Sequence, residues 1–215
     1  GPNPMAAPVP AGTQPLMPGP GRTGLIYVPS TYSIGQPATL VVTLHGAGGD
    51  ARGGLAPLRA LADEFKLLLL APESRGRTWD VLVGGFGPDV EVIDQALAQT
   101  FDRYVVDPAR VIVAGFSDGA SYALSLGITN GDVFASVLAF SPGFAAPGTT
   151  RGSPRLFISH GTGDAVLGIG ATSRKLVPRF RDAGYDVRYL EFEGGHTVPA
   201  EVARTAVAWA LGPTP

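Results

Sequence analysis

Read for polarity alone, the chain from Arg22 onward alternates short apolar runs with segments whose apolar residues recur every three or four positions. The runs near residues 25–28, 39–44, 66–71, 111–114, 135–140, 156–159 and 187–192 predict strands. Three of them, "TLVVTL", "LLLLA" and "RVIVAG", are continuously apolar, as parallel strands buried on both faces must be. Segments near residues 54–65, 90–104, 119–126, 172–183 and 199–211 predict helices. In "DVEVIDQALAQTFDRYV", for example, Val90, Ile93, Leu97, Phe101 and Tyr104 form the single stripe a helix lays on a sheet. Such alternation predicts an α/β protein with a mostly parallel central sheet of about seven strands, flanked by helices on right-handed crossovers. The expected division is a Pro/Gly-rich tail over residues 1–21, one domain over 22–211 and a short tail over 212–215.

Composition narrows the chemistry. A net charge of −2 with no basic stretch leaves no electrostatic footprint for nucleic acid or an anionic membrane. Cysteine is absent, which removes thiol nucleophiles, disulfides and Cys-type zinc sites. No apolar run approaches the roughly 18 residues of a membrane span, and no His/Asp/Glu cluster has metal-ligand spacing. Neither a metal nor a cofactor is called for. The N-terminal stretch lacks the charged and apolar regions of an intact signal peptide. Gly1 to Pro4 read as a remnant ahead of a native Met5, which would favour the cytoplasm, or the stretch is the mature end of a secreted chain.

Ligands of parallel α/β sheets bind beyond the carboxyl ends of the strands. Four of these junctions are rich in glycine and polar groups: "LHGAGGD", "AGFSDGAS", "SHGTGDAV" and "FEGGHTV". In Gly115-Phe116-Ser117-Asp118-Gly119 small residues flank a serine between a strand and a helix, a tight turn that projects the hydroxyl clear of the sheet. Ser117 is the candidate nucleophile. A serine needs a base, and the chain has three histidines, His45, His160 and His196. His45 and His160 precede glycine at strand ends and read as structural, bonding backbone. His196 lies between the last strand and the last helix, in a loop that two glycines free to reach inward. Asp164, after the strand between those carrying Ser117 and His196, is the carboxylate to orient the base. Asp118 is too close to Ser117 for that role, and Asp132 and Asp186 fall on the wrong edge of the sheet. For the oxyanion, the Asp118 N–H supplies one donor and the Ala47 N–H the other, with Gly48 as second choice.

Together "LHGAGGDA", "GFSDGAS", "HGTGDAV" and "GGHTVP" resemble the small α/β-hydrolases of the phospholipase/carboxylesterase type. The same pieces are similar to those of polyhydroxybutyrate-depolymerase-like and feruloyl-esterase-like proteins. The resemblance covers about residues 22 to 211 and implies an α/β-hydrolase fold and a serine esterase working through an acyl-enzyme. The chain departs from the carboxylesterase pattern after the nucleophile, where Asp118-Gly119-Ala120 replaces the usual Gln-Gly-Gly.

Only "SPGFAAPGTTRGSP" fills the connection where this fold often carries a lid, so no cap domain and an open cleft are expected. That suits short-chain or aryl esters, or an exposed ester on a polymer. Trp79, Phe86 and Phe144 fall in loops on the predicted active-site side, where they would line acyl or alcohol pockets or else cover the sheet edge. Arg75 and Arg77 read as solvated loop residues. Two other readings compete. A hydrolase fold retained as a catalytically silent binding module would keep the same residues. A dinucleotide-binding oxidoreductase would use Gly46-Ala47-Gly48-Gly49-Asp50-Ala51 and Glu73, but needs a helix opening directly at the glycines, whereas "GGDARGGLAP" is expected to continue as loop.

Overall fold

The computed structural model describes residues 10–16, 24–82 and 85–212; most of the expected N-terminal tail, and residues 213–215 of the C-terminal one, lie outside that set. Eight strands form one sheet: β1 (Gly12–Pro15), β2 (Leu25–Val28), β3 (Ala38–Leu44), β4 (Leu67–Ala71), β5 (Val106–Phe116), β6 (Ser136–Phe140), β7 (Arg155–Gly161) and β8 (Val187–Phe192). Their order is β1-β2-β4-β3-β5-β6-β7-β8. β2 runs antiparallel to both β1 and β4, and every other pairing is parallel. The eighth strand is β1, "GTQP", inside the stretch whose Pro/Gly content predicts a tail; it pairs Gly12 with Val28 and Pro15 with Leu25 at the sheet edge. Proline is tolerated there because an edge strand needs only one side of its ladder.

Among the described residues the α-helices are α1 (Ala51–Arg59), α2 (Ala62–Phe65), α3 (Pro88–Arg103), α4 (Asp118–Thr129), α5 (Ser173–Asp182) and α6 (Ala200–Leu211). The pleat divides the core in two. Leu40, Val42, Leu68, Leu70, Val111 and Val113 meet Ile93 and Leu97 of α3, Tyr122 of α4 and Leu176 of α5 on one face. Val41, Leu67, Leu69 and Ile112 meet Leu55 and Leu58 of α1 and Val202 and Ala206 of α6 on the other.

The first helical segment differs from expectation, and β5 begins at Val106, ahead of the expected residue 111. The helix predicted over residues 54–65 is two helices, and the first opens at Ala51, because the Asp50 side chain caps it by accepting the Gly53 N–H at 2.9 Å. Lys66, at φ 55°, ends the second.

No further domain stands between β6 and β7 among the described residues. That connection is instead fastened along α4 by hydroxyls one helical turn apart. Ser121 Oγ accepts the N–H of Gly143 (2.9 Å), Ser125 Oγ that of Ala146 (2.9 Å) and Thr129 Oγ1 that of Gly148 (2.9 Å). Each hydroxyl donates in turn to the carbonyl four residues back. Held this way the connection lies against the helix.

Candidate active site

The site is assembled where β3, β5, β7 and β8 end. Ser117 sits at φ 56° and ψ −120°, a conformation that costs a non-glycine residue roughly 1–3 kcal/mol and that its surroundings must impose. They do so sterically. A Cβ on Gly115 would lie 2.1 Å from the Gly119 carbonyl oxygen, and one on Gly119 would lie 2.2 Å from that of Leu44. Neither position admits a side chain, so β5 can pass into α4 and against β3 only through glycine. The Ser117 N–H donates to the Phe140 carbonyl at 2.9 Å. The hydroxyl therefore stands at the start of α4, where helix N–H groups favour negative charge.

His196 bridges the other two predicted residues. Its Nε2 lies 2.9 Å from Ser117 Oγ, and its Nδ1 lies 2.6 Å from Asp164 Oδ2. An ionised carboxylate only accepts, so the proton is on Nδ1 and Nε2 is left to accept from the serine. The loop carrying His196 is stitched to the loop carrying Asp164: the Gly163 N–H donates to the Gly194 carbonyl at 2.8 Å. A Cβ on Gly161 would lie 2.3 Å from the Gly195 carbonyl oxygen, which explains the small residues on both sides of that contact. The Phe116 ring lies against the imidazole at 4.7 Å between centroids.

Asp164 is buried, and burial raises its pKa; the hydrogen bond from His196 and the N–H groups of Leu167 and Val166, both at 2.8 Å to Oδ1, outweigh it and hold the carboxyl below its usual range. The structure also brings His160 to this carboxylate. Its Nε2 donates to the Leu167 carbonyl at 2.7 Å and lies 3.1 Å from Asp164 Oδ2, while Nδ1 meets Ser173 Oγ at 2.7 Å. The expected backbone role of His160 is there, and its place beside Asp164 is additional. The four-residue spacing of His160 and Asp164 is the only trace of it in the sequence. His45 is buried and bonds backbone as expected of it, with Nδ1 donating to the Gly46 carbonyl and Nε2 accepting the Ser74 N–H.

Among the oxyanion candidates, neither the Ala47 N–H nor the Asp118 N–H is engaged by another described residue. The second choice, Gly48, is corrected: its N–H is donated to the Arg77 carbonyl at 2.7 Å. Trp79 is likewise corrected as a substrate contact. It is completely buried, stacks on Tyr122 with 5.0 Å between ring centroids and donates Nε1–H to the His45 carbonyl, so it has no surface to offer a ligand. Phe86 is 36% exposed and meets Tyr122 edge-on, and Phe144 is half-buried; both keep apolar surface. The side chains of Arg75 and Arg77 are exposed.

The dinucleotide reading needs a helix opening at the glycines, and α1 does open there, contrary to the expected loop. What stands against it is Glu73. Instead of waiting for a ribose, its carboxylate accepts the Ala51 N–H at 3.1 Å and fills the helix N-terminus that a pyrophosphate would need. Among the described residues no group of three or more His, Asp or Glu side chains could hold a metal, and no helix is long and apolar enough to cross a membrane.

The sheet order and the strained serine turn into α4 together make this the α/β-hydrolase fold. No family model matches the chain. It is similar in structure to the esterase PE8, with a TM-score of 0.72 and 26% identity over 88% of this chain and 97% of that one. In sequence it is 30% identical to a poly(3-hydroxybutyrate) depolymerase of Ralstonia pickettii, over 54% of this chain and 28% of that protein. It is 26% identical to a probable feruloyl esterase C of Aspergillus flavus, over 68% of this chain and 56% of that protein. The chain thus spans between about a quarter and about a half of the length of these curated relatives.

Proposed function

We propose that the protein is a serine carboxylic-ester hydrolase working through an acyl-enzyme, with Ser117 as nucleophile, His196 as general base and acid, and Asp164 as orienting carboxylate. The observation that carries this reading is the His196 ring held between Ser117 Oγ at 2.9 Å and Asp164 Oδ2 at 2.6 Å. Ser117 Oγ attacks the ester carbonyl carbon as its proton passes to His196 Nε2. The oxyanion that forms is received by the N–H groups of Ala47 and Asp118. The intermediate collapses with cleavage of the C–O bond, and His196 returns the proton to the departing alcohol. A water, deprotonated by the same nitrogen, then attacks the acyl-enzyme, and the acid leaves as Ser117 regains its proton.

That no further domain stands between β6 and β7 among the described residues supports short-chain or aryl esters, or an ester displayed on a polymer, as substrates. Phe86 and Phe144 are the side chains proposed to meet them. The similarity to named esterases and to a polyester depolymerase supports the same reaction class. Labelling with a fluorophosphonate and hydrolysis of p-nitrophenyl esters of increasing acyl length test the reading. The wild type should label once, at Ser117, and turn over acetate and butyrate faster than longer acyl groups. Ser117→Ala should lose both labelling and at least roughly 10⁴-fold in kcat. A folded wild type with an intact but unlabelled Ser117 would make the protein a silent binding module instead.

A further inference from the structure

We propose that Arg77, Thr78 and Trp79, three consecutive residues after β4, act as a clasp that sets the relative position of the two oxyanion N–H groups, with the Asp118 carboxylate as its anchor on the nucleophile side. The proposal rests on the esterase reading above and gives a role to a carboxylate that the reaction itself does not use.

Each of the three residues makes one bond to a segment that carries an oxyanion donor. The Arg77 carbonyl accepts the Gly48 N–H at 2.7 Å. Trp79 Nε1–H donates to the His45 carbonyl at 2.8 Å. Ala47 is thereby held between two pinned neighbours in an otherwise glycine-rich loop. Between these two bonds, Thr78 Oγ1–H donates to Asp118 Oδ2 at 2.7 Å, tying the same loop to the residue that supplies the other donor. Strand pairing between β3 and β5 places the two segments side by side, ending at Leu44 and Gly115. It does not orient the peptide planes beyond those residues, and glycine makes them soft to rotation.

The clasp itself is rigid at its base. Asp89 accepts the N–H groups of Arg75 (2.7 Å) and Asp80 (2.8 Å), and Asp80 accepts those of Asp89 (2.8 Å) and Gly87 (3.0 Å). Asp80 also accepts the Tyr122 hydroxyl at 3.1 Å, and Tyr122 carries the stacked Trp79 ring. Tyr122 lies one turn beyond Asp118 on α4, so the loop takes its bearing from the same helix that supplies the oxyanion donor.

Misplacement of a reacting group by about 1 Å costs on the order of 10²-fold in rate. Thr78→Val removes the hydroxyl while keeping the side-chain shape, and Asp118 is not fully buried, so water can solvate the freed carboxylate. Thermal stability should move little, while kcat on p-nitrophenyl acetate falls roughly 10- to 100-fold with KM within about threefold. Affinity for a phenylboronic acid, which forms a tetrahedral adduct on Ser117, should weaken in parallel with kcat/KM. Thr78→Ser should restore both quantities. Thr78→Ala is a second variant that deletes the same hydroxyl, and Asp118→Asn, which keeps an acceptor, should lose less than Asp118→Ala. Wild-type kcat and boronate affinity in a folded Thr78→Val or Thr78→Ala protein would overturn the clasp and leave the esterase reading standing. A wild type that neither hydrolyses esters nor labels at Ser117 would overturn both.

Discussion

His160 Nε2 lies 3.1 Å from Asp164 Oδ2, the same oxygen that receives His196 Nδ1 at 2.6 Å. Two imidazoles therefore share one carboxylate oxygen, one facing Ser117 and one completely buried. The buried ring ties the far side of the turn: its Nε2–H goes to the Leu167 carbonyl, while the Leu167 N–H goes to Asp164 Oδ1. Ser173 Oγ, at the start of α5, closes the arrangement on Nδ1. A neutral His160 satisfies all of these partners at once, accepting at Nδ1 and donating at Nε2.

Replacing the ring tests whether this turn is what aims Asp164. His160→Phe keeps the volume but leaves the Leu167 carbonyl and the Ser173 hydroxyl without their ring partner, at a cost of roughly 1–3 kcal/mol for each buried group left unsatisfied. Urea unfolding should show that loss, and kcat should fall with little change in KM because the carboxylate is no longer held against His196. Ser173→Ala leaves the ring in place and should lose stability with a smaller fall in kcat. Equal kinetic losses in the two variants would reduce His160 to a packing residue.

The serine turn makes a sharper demand. With a Cβ on residue 119 only 2.2 Å from the Leu44 carbonyl oxygen, Gly119→Ala must push α4 away from β3 or abandon the Ser117 conformation. Overpacking of this kind typically costs about 1–3 kcal/mol, and more where the obstacle is backbone. We expect a marked fall in melting temperature and loss of fluorophosphonate labelling even in protein that remains folded. Gly35, at φ +82° with open space around its Cβ position, is the control: alanine there costs only backbone strain and should leave labelling intact.

Which parts of this were legible beforehand follows from the range of the forces involved. Continuous apolar runs located β3, β4 and the buried part of β5, because burial on both faces leaves its mark residue by residue. The first half of β5, "VDPAR", is polar and largely exposed and was not visible. β1 was hidden by composition, since Gly12 and Pro15 read as coil until an edge partner is present. The start of α1 was missed because a single Asp50 cap overrides the poor helix propensity of Gly53 and Gly54. In the site, Ser117, Asp164 and His196 stand out in the sequence because each proposed role requires a particular residue type at a strand end, and the structure brings the three within hydrogen-bond reach. Gly48 and Trp79 depart from expectation for a different reason: the Arg77 and His45 carbonyls claim their N–H groups across distant parts of the chain, and no local pattern encodes those bonds.

The hydroxyls on α4 offer a test of how the connection between β6 and β7 is held. Ser125 Oγ accepts the Ala146 N–H at 2.9 Å and donates to the Ser121 carbonyl at 2.7 Å. Ser125→Ala removes the central one of the three fastenings and should cost about 1–2 kcal/mol. Amide exchange should accelerate within residues 143–148 specifically, since each remaining hydroxyl holds only its own end. If exchange there is unchanged, the connection is held by packing rather than by the ladder.

The pH dependence follows from Asp164. Its folded pKa is depressed, so the stability it contributes is fully present above the ordinary carboxylate value of about 3.9 and is lost as pH falls through the folded value. Burial pushes Asp89 the other way, despite the N–H groups it accepts, so its contribution declines as pH rises. The two separate in a comparison of wild type with Asp164→Asn, in which Asp89 is common to both. The stability advantage of the wild type should be constant at neutral pH and shrink as pH drops below about 4. The same substitution places an amide NH₂ or a single carbonyl oxygen where His196 needs an ionised acceptor, which disfavours the Nδ1–H tautomer and should lower kcat by roughly 10⁴-fold. Because Asp164 stays ionised throughout the range above its depressed pKa, the acid limb of the wild-type kcat/KM profile should have the slope of one proton. A slope of two in the range above about pH 4 would mean that the Asp164 carboxyl is also titrating there and that its hydrogen bonds do not hold it ionised.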